Sequence, residues 1–248
     1  MLCLLCAAAV PDDVRAEEVT LAVAANFLIA SRALKREFEA STGHRVNVTS
    51  GSTGQLYAQI VNGAPYDIFL AADQERPHLA AAGGLGDAAS VFTYAIGQLA
   101  LWSGDPDRIH DGQMMAALQS DFRWFAIPEP DLAPYGAAAR QALEKLGVWE
   151  ELEPRIVRGQ NVAQTFAMIE TGNAQLGLVA LSQALVYQGP ASYQDVPSAL
   201  YDPIRQDASL LSRAKDNDAA RQFLEFLKMP AAAAIMQRFG YAQPGSYD

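Results

Sequence analysis

Four short polar or glycine-containing segments stand out because each lies where a loop would open a helix: Ala25-Asn26, Ser52-Thr53-Gly54, Tyr135-Gly136 and Asn161-Val162. The first N–H groups of a helix lack intrahelical partners and carry a partial positive charge, so each opening can donate to an anion. Asn, Ser and Thr are also ordinary helix caps, so one such segment alone says little. Four of them, two in each half of an alternating chain, can meet on one ligand. Neither Lys nor Arg occurs within them. The chemistry they offer is therefore capture of an anion by neutral dipoles. Such a site favours a fully ionised oxyanion, because a protonated one brings a hydroxyl that needs an acceptor, and leaving that group unpaired costs roughly 1–3 kcal/mol.

The elements that must position these segments alternate β-branched runs with helical periods, the pattern of βαβ units around a largely parallel sheet. Strands are expected at Val19 to Ala25, Arg45 to Thr49 and Asp67 to Ala71. Helices are expected from Leu28 to about Ala40, Gln55 to Val61, and after a cap at Asp73 to about Ala82. A strand-like segment from Phe92 to Trp102 leads into a second lobe. There, helices at Met114 to Ser120, Gly136 to Leu146 and Val162 to Thr171 alternate with strands at Arg123 to Ile127, Arg155 to Val157 and Leu176 to Ala180. Tyr201 to Ser212 reads as an extended return, followed by terminal helices at Asp216 to Lys228 and Ala231 to Phe239. A chain that leaves one lobe and returns to it places a cleft between two α/β lobes, a favoured ligand position. We divide it into a signal segment at 1–16, one lobe from 17–96 with 205–248, and a second from 97–204.

Composition narrows the function. With 248 residues, 50% hydrophobic and 19% charged, the chain buries a sizeable core. A net charge of −10 argues against nucleic-acid binding, which needs clustered cations. It also repels an anion at long range, so attraction must come from fixed, short-range donors. The apolar stretch Leu2 to Val10, with small Ala16 before Glu17, reads as a secretory signal lacking its charged n-region, as when the start codon is placed too far downstream. Both cysteines, Cys3 and Cys6, fall in it, which leaves the mature chain without thiols; Leu5 is bulkier than the small residue that usually precedes a lipid-modified Cys6. No stretch of about 18 apolar residues predicts a transmembrane helix.

Other motifs reduce to structure. Gly84-Leu85-Gly86-Asp87-Ala88-Ala89 follows a helix, not a strand, so it reads as a helix stop and turn rather than a dinucleotide fingerprint. No P-loop is present, so no P-loop ATPase is expected. His44, His78 and His110 lack metal-ligand spacing. Asp67 and Asp73 read as a strand-end bond and a cap, not a catalytic pair, and Tyr57, Tyr66, Tyr94 and Tyr135 as packing residues with no clustered pair to bind ferric iron. No nucleophile and base converge, so no enzyme is expected.

The stretches Val23 to Phe27 (VAANF), Ser50 to Gln74, Phe92 to Trp102, Ala133 to Gly136 (APYG) and Leu176 to Leu181 (LGLVAL) resemble the periplasmic molybdate-binding components of ABC importers, among the type II solute-binding proteins. The resemblance spans nearly the whole mature chain. It implies an α/β, two-lobed periplasmic-binding-protein-like fold that captures molybdate or tungstate in the periplasm. The cargo passes to a membrane permease with its ATPase; no cofactor is implied, and a monomer is expected. Carried over by position, the oxyanion contacts are Asn26 side chain and backbone, Thr53 hydroxyl and backbone, and the backbone N–H groups of Tyr135 and Val162, with Ala25 and Ser52 flanking. These contacts reach the oxygens, with no direct ligation of the metal. Asn26 and Thr53 occupy positions that are often Ser, and Ala180 stands where some members place a ligand-binding Tyr. A sulfate or other tetrahedral-oxyanion receptor is the alternative.

Overall fold

The computed structural model describes residues 16–245. The expected signal segment therefore lies outside the described residues, Ala16 excepted, and so does Cys6 with its lipid question.

Ten strands form two five-stranded sheets. In the first, β1 (Glu18–Ala24), β2 (Arg45–Gly51), β3 (Ile68–Leu70), β4 (Phe92–Gly97) and, much later in the chain, a tenth strand (Ile204–Leu210) are ordered β2-β1-β3-β10-β4. β1 pairs in parallel with β2 and β3, while β10 runs antiparallel to β3 and β4. The second sheet contains β5 (Leu99–Ser103), β6 (Phe125–Pro128), β7 (Ile156–Gly159), β8 (Leu176–Ala180) and β9 (Ser192–Asp195), ordered β7-β6-β8-β5-β9.

Helices α1 (Leu28–Thr42), α2 (Thr53–Val61) and α3 (Glu75–Ala82) flank the first sheet, and α4 (Met114–Leu118), α5 (Pro134–Lys145), α6 (Trp149–Leu152), α7 (Val162–Glu170) and α8 (Leu181–Val186) belong with the second. The terminal α9 (Asp218–Leu227) and α10 (Pro230–Arg238) return to the first. Local chemistry fixes their ends. α1 buries Ala30, Leu34 and Phe38, one stripe at helical spacing, and stops at Gly43, whose φ of 77° suits a residue without Cβ. α5 starts with Pro134 at its first turn, where the missing N–H costs nothing. The Asp73 carboxylate accepts the Arg76 N–H at 2.9 Å, as expected of a cap, and Asp67 accepts the Thr20 N–H at 2.7 Å.

Four expectations need correction. The sheets are mixed rather than largely parallel: β1–β2, β1–β3, β6–β7 and β6–β8 pair in parallel, but β3–β10, β4–β10, β5–β8 and β5–β9 pair antiparallel, because the return strand and the strand that enters the second lobe run against their neighbours. Phe92 to Trp102 is not one strand: it breaks at Gln98, and β4 and β5 belong to different sheets. Only Gly97 and Gln98 separate two apolar runs in largely buried strands, so periodicity gives little sign of the break. β9 was not anticipated; its sequence, SYQD, is polar because it is an edge strand with mixed burial. The short helices α6 and α8 were also not anticipated.

Each sheet has its own core. Leu21, Val23, Phe27, Leu34, Phe38 and Phe223 fill the first, while Trp102, Phe125, Ile127 and Leu143 anchor the second. Ala24, Ala25 and Ala72, at the cleft edge of the first sheet, pack with the second core. The two lobes are therefore closed on one another. Among the described residues no helix is long and apolar enough to cross a membrane.

Candidate functional site

A small cavity, with about 10 Å³ open to the centre of a water molecule, lies between the lobes, lined by Ala24, Ala25, Asn26, Ser52, Thr53, Ala72, Ala133, Pro134, Tyr135, Asn161 and Val162. All six residues expected at the site are there, on four different helix openings. A wider groove of about 390 Å³ lies nearby, but it is open and carries charges of both signs, from Asp73, Glu75, Arg76, Asp202 and Arg205. The smaller cavity has no charged lining residue.

Each opening is shaped by its own cap. Ser52 accepts the Gln55 N–H on its hydroxyl at 3.3 Å, and the Gln55 side chain accepts the Ser52 N–H at 3.3 Å, a reciprocal capping box. This leaves Thr53 as the first residue of α2, buried at 1% exposure. Its hydroxyl accepts the Ala72 N–H at 3.0 Å, so one lone pair is occupied and its proton remains for another acceptor. Asn161 caps α7 by accepting the Gln164 N–H at 3.0 Å, which puts Val162 at the first helical position. Tyr135 follows Pro134 at the start of α5. Among the described residues, no protein acceptor meets the N–H of Thr53, Tyr135 or Val162. Three helix N-termini thus aim unpaired donors at one small space, and Ala25-Asn26 adds the 3-10 turn that opens α1.

Asn26 differs from expectation in detail. Its amide nitrogen, expected at the ligand, instead donates to Gln206 Oε1 at 2.9 Å and lies 3.2 Å from the Tyr241 hydroxyl and 3.4 Å from that of Tyr135. Its backbone carbonyl accepts from Tyr241 at 2.7 Å and from Ser182 at 3.1 Å. The tyrosines do cluster, contrary to expectation: Tyr94, Tyr135 and Tyr241 converge on Asn26 and Gln206. Burial pushes all three phenols up, well above the ordinary tyrosine range for Tyr94 and Tyr135, so they stay protonated and serve as hydrogen-bond groups rather than phenolate ligands. Gln206, Tyr241 and Ser182 were missed. Ala180 ends β8 and does not line the cavity.

Direct bonds span the cleft. The Gly54 N–H donates to Leu132 O at 3.0 Å, Arg76 Nη2 to Asp131 O at 3.2 Å, and Gln55 Nε2 to Gln160 Oε1 at 3.4 Å. Arg76 is held in turn by an ion pair with Asp73, whose carboxyl burial pushes up against the opposing pull of that arginine.

The sequence pattern of residues 19–242 matches the model of a family described as bacterial extracellular solute-binding protein. The chain belongs to that family. This solute-binding protein is 45% identical to the molybdate-binding protein ModA of Rhodobacter capsulatus, over 91% of this chain and 88% of that one. It is 44% identical to ModA of Azotobacter vinelandii, over 92% and 90% of the two chains. The solved periplasmic molybdate-binding protein of Azotobacter vinelandii superposes with a TM-score of 0.86 at 38% identity, covering 91% of this chain and 99% of that one. The sulfate-binding protein SubI of Mycobacterium tuberculosis shares the fold, with a TM-score of 0.75 at 14% identity over 93% and 88%. The family's members bind solutes rather than transform them, and this chain is a binding protein, not an enzyme.

Proposed function

We propose that this solute-binding protein captures molybdate, and tungstate with it, in the periplasm and delivers it to the permease of an ABC importer driven by its ATPase. The observation that carries the reading is the closure of four uncharged helix openings on one small cavity. Relatives at 44% and 45% identity that are named for molybdate support the choice of ion. The donors we assign are the Thr53 hydroxyl and N–H, the N–H groups of Tyr135 and Val162, and Asn26 through its backbone N–H, with Ala25 and Ser52 as flanking contacts. The amide nitrogen of Asn26 then supports the site from behind. We assign residues 17–96 with 205–248 to one lobe and 97–204 to the other; the breaks between β4 and β5 at Gln98 and before β10 at Pro203 support that division. We propose that the protein works as a monomer.

Closure and capture are one event, because the complete donor set exists only when the lobes meet; the ligand selects the closed state by its differential affinity. Calorimetric titration of ligand-stripped protein with molybdate, tungstate, sulfate and phosphate tests this. Tight binding of the first two with little response to the others is expected. Preference for sulfate keeps an oxyanion receptor and overturns the ion, and no binding by any of the four defeats the reading.

A further inference from the structure

Gln206 sits on β10 three residues past Pro203, where the chain has just returned to the first lobe, and it is fully buried. A buried carboxamide must satisfy two donors and two lone pairs, so its partners define its role. Its oxygen accepts from Asn26 Nδ2 at 2.9 Å and from the Tyr94 hydroxyl at 3.1 Å, both in the first lobe. Its nitrogen donates to the Tyr135 hydroxyl at 3.3 Å, in the second. Tyr135 reaches this point from the opening of α5, and its phenol lies against Gly97, at the other crossing: a Cβ on Gly97 would overlap the phenol oxygen and come within 2.8 Å of Cζ. The phenol of one site residue and the amide of another are thus joined through Gln206, besides their own longer approach of 3.4 Å, near both points where the chain changes lobes.

We propose that Gln206 is a positioning residue that sets the spacing between the Asn26 and Tyr135 openings, and through that spacing the ion size the site accepts. It touches no ligand in this assignment, since it does not line the cavity. Its carboxamide fixes Asn26 on one side and Tyr135 on the other, and two of the four donor groups are thereby held at a set separation in the closed form. Preorganisation of this kind acts mainly on the dissociation rate.

The inference rests on the oxyanion-capture reading, and a double-mutant cycle tests it. Gln206→Met and Tyr135→Phe are each expected to raise the molybdate Kd about tenfold, the effect of one modest buried hydrogen bond, chiefly through faster release of radiolabelled ion. The combined variant should bind no more than about twofold worse than the weaker single one, because both remove the same link. The molybdate-to-sulfate preference should narrow in all three, which a loss of general stability would not produce. Gln206→Asn, one methylene too short to span Asn26 and Tyr135, should behave likewise and serves where the Met variant does not fold. If the wild type prefers sulfate, the same cycle is read with sulfate, so that a wrong ion and a wrong role for Gln206 give different results. Single-variant Kd values within twofold of wild type, or effects that multiply independently in the double variant, overturn the proposal.

Discussion

Thr53→Val offers the sharpest test of the neutral-donor site, because it replaces one hydroxyl by a methyl of nearly the same size. The Thr53 side chain is buried and its oxygen already accepts the Ala72 N–H at 3.0 Å. The hydroxyl proton is then free for the ion. A hydrogen bond to a charged group contributes about 1.5–3 kcal/mol, so its loss should raise the molybdate Kd by about tenfold to 150-fold. The same substitution leaves the Ala72 N–H unpaired, at a cost of about 1–3 kcal/mol, which lowers the ligand-free unfolding temperature by roughly 2–12 °C. Two readouts separate the effects: calorimetry for affinity, well below the unfolding temperature, and thermal unfolding without ligand. Thr53→Ser keeps both hydrogen bonds and should restore the unfolding temperature most of the way and the Kd to within about threefold. If the Val variant unfolds earlier yet binds molybdate as tightly as wild type, the hydroxyl only braces Ala72 and the proposed donor set is wrong.

Gly54→Ala should weaken binding about fivefold with little change in ligand-free unfolding, since the new Cβ would lie 3.1 Å from Leu132 O across the cleft and mild overpacking there opposes closure by about 1 kcal/mol. Small-angle scattering should show the ligand-bound variant shifted towards an open form. Ser52→Ala removes half of the α2 capping box, at a cost of about 1 kcal/mol or roughly 2–4 °C in unfolding temperature. Asn161→Ala, which uncaps α7, should lower it by a similar amount. Finally, a protein of net charge −10 repels a dianion, so stopped-flow association should accelerate as ionic strength rises from about 10 to 150 mM, where the Debye length shrinks from about 30 to 8 Å. A rate that falls with salt would point to a cationic patch guiding the ion.

The site was legible where its chemistry is local. A cap and the helix it opens lie within four residues, so Asn26, Thr53, Tyr135 and Val162 could be picked out, and all four line one cavity. What supports them is not local: Gln206, Tyr241 and Ser182 meet Asn26 across 180, 215 and 156 residues of chain. Nothing in the composition around Gln206 distinguishes a buried glutamine from an exposed one on an edge. The same limit hid the tyrosine cluster, since Tyr94, Tyr135 and Tyr241 come from β4, α5 and the segment after α10. The missed break at Gln98 has another cause: two largely buried strands separated by a single residue read as one apolar segment whichever sheet each joins.

The absence of charged side chains from the cavity lining follows from what a carrier must do. An arginine or lysine aimed into the cleft would hold a dianion in the open form as well as the closed one, since a full charge acts over several ångströms. Helix N-termini act differently. Their effect falls off within the first turn, so two openings on one lobe grip weakly and four on both lobes grip together. Water exclusion then strengthens each hydrogen bond as the cavity seals. Affinity is therefore concentrated in the closed state, and separating the lobes releases the ion without breaking a salt bridge. The surrounding negative charge works in the same direction, favouring departure of a dianion once the donors on one side are withdrawn. A neutral site between two lobes thus combines tight capture with easy delivery.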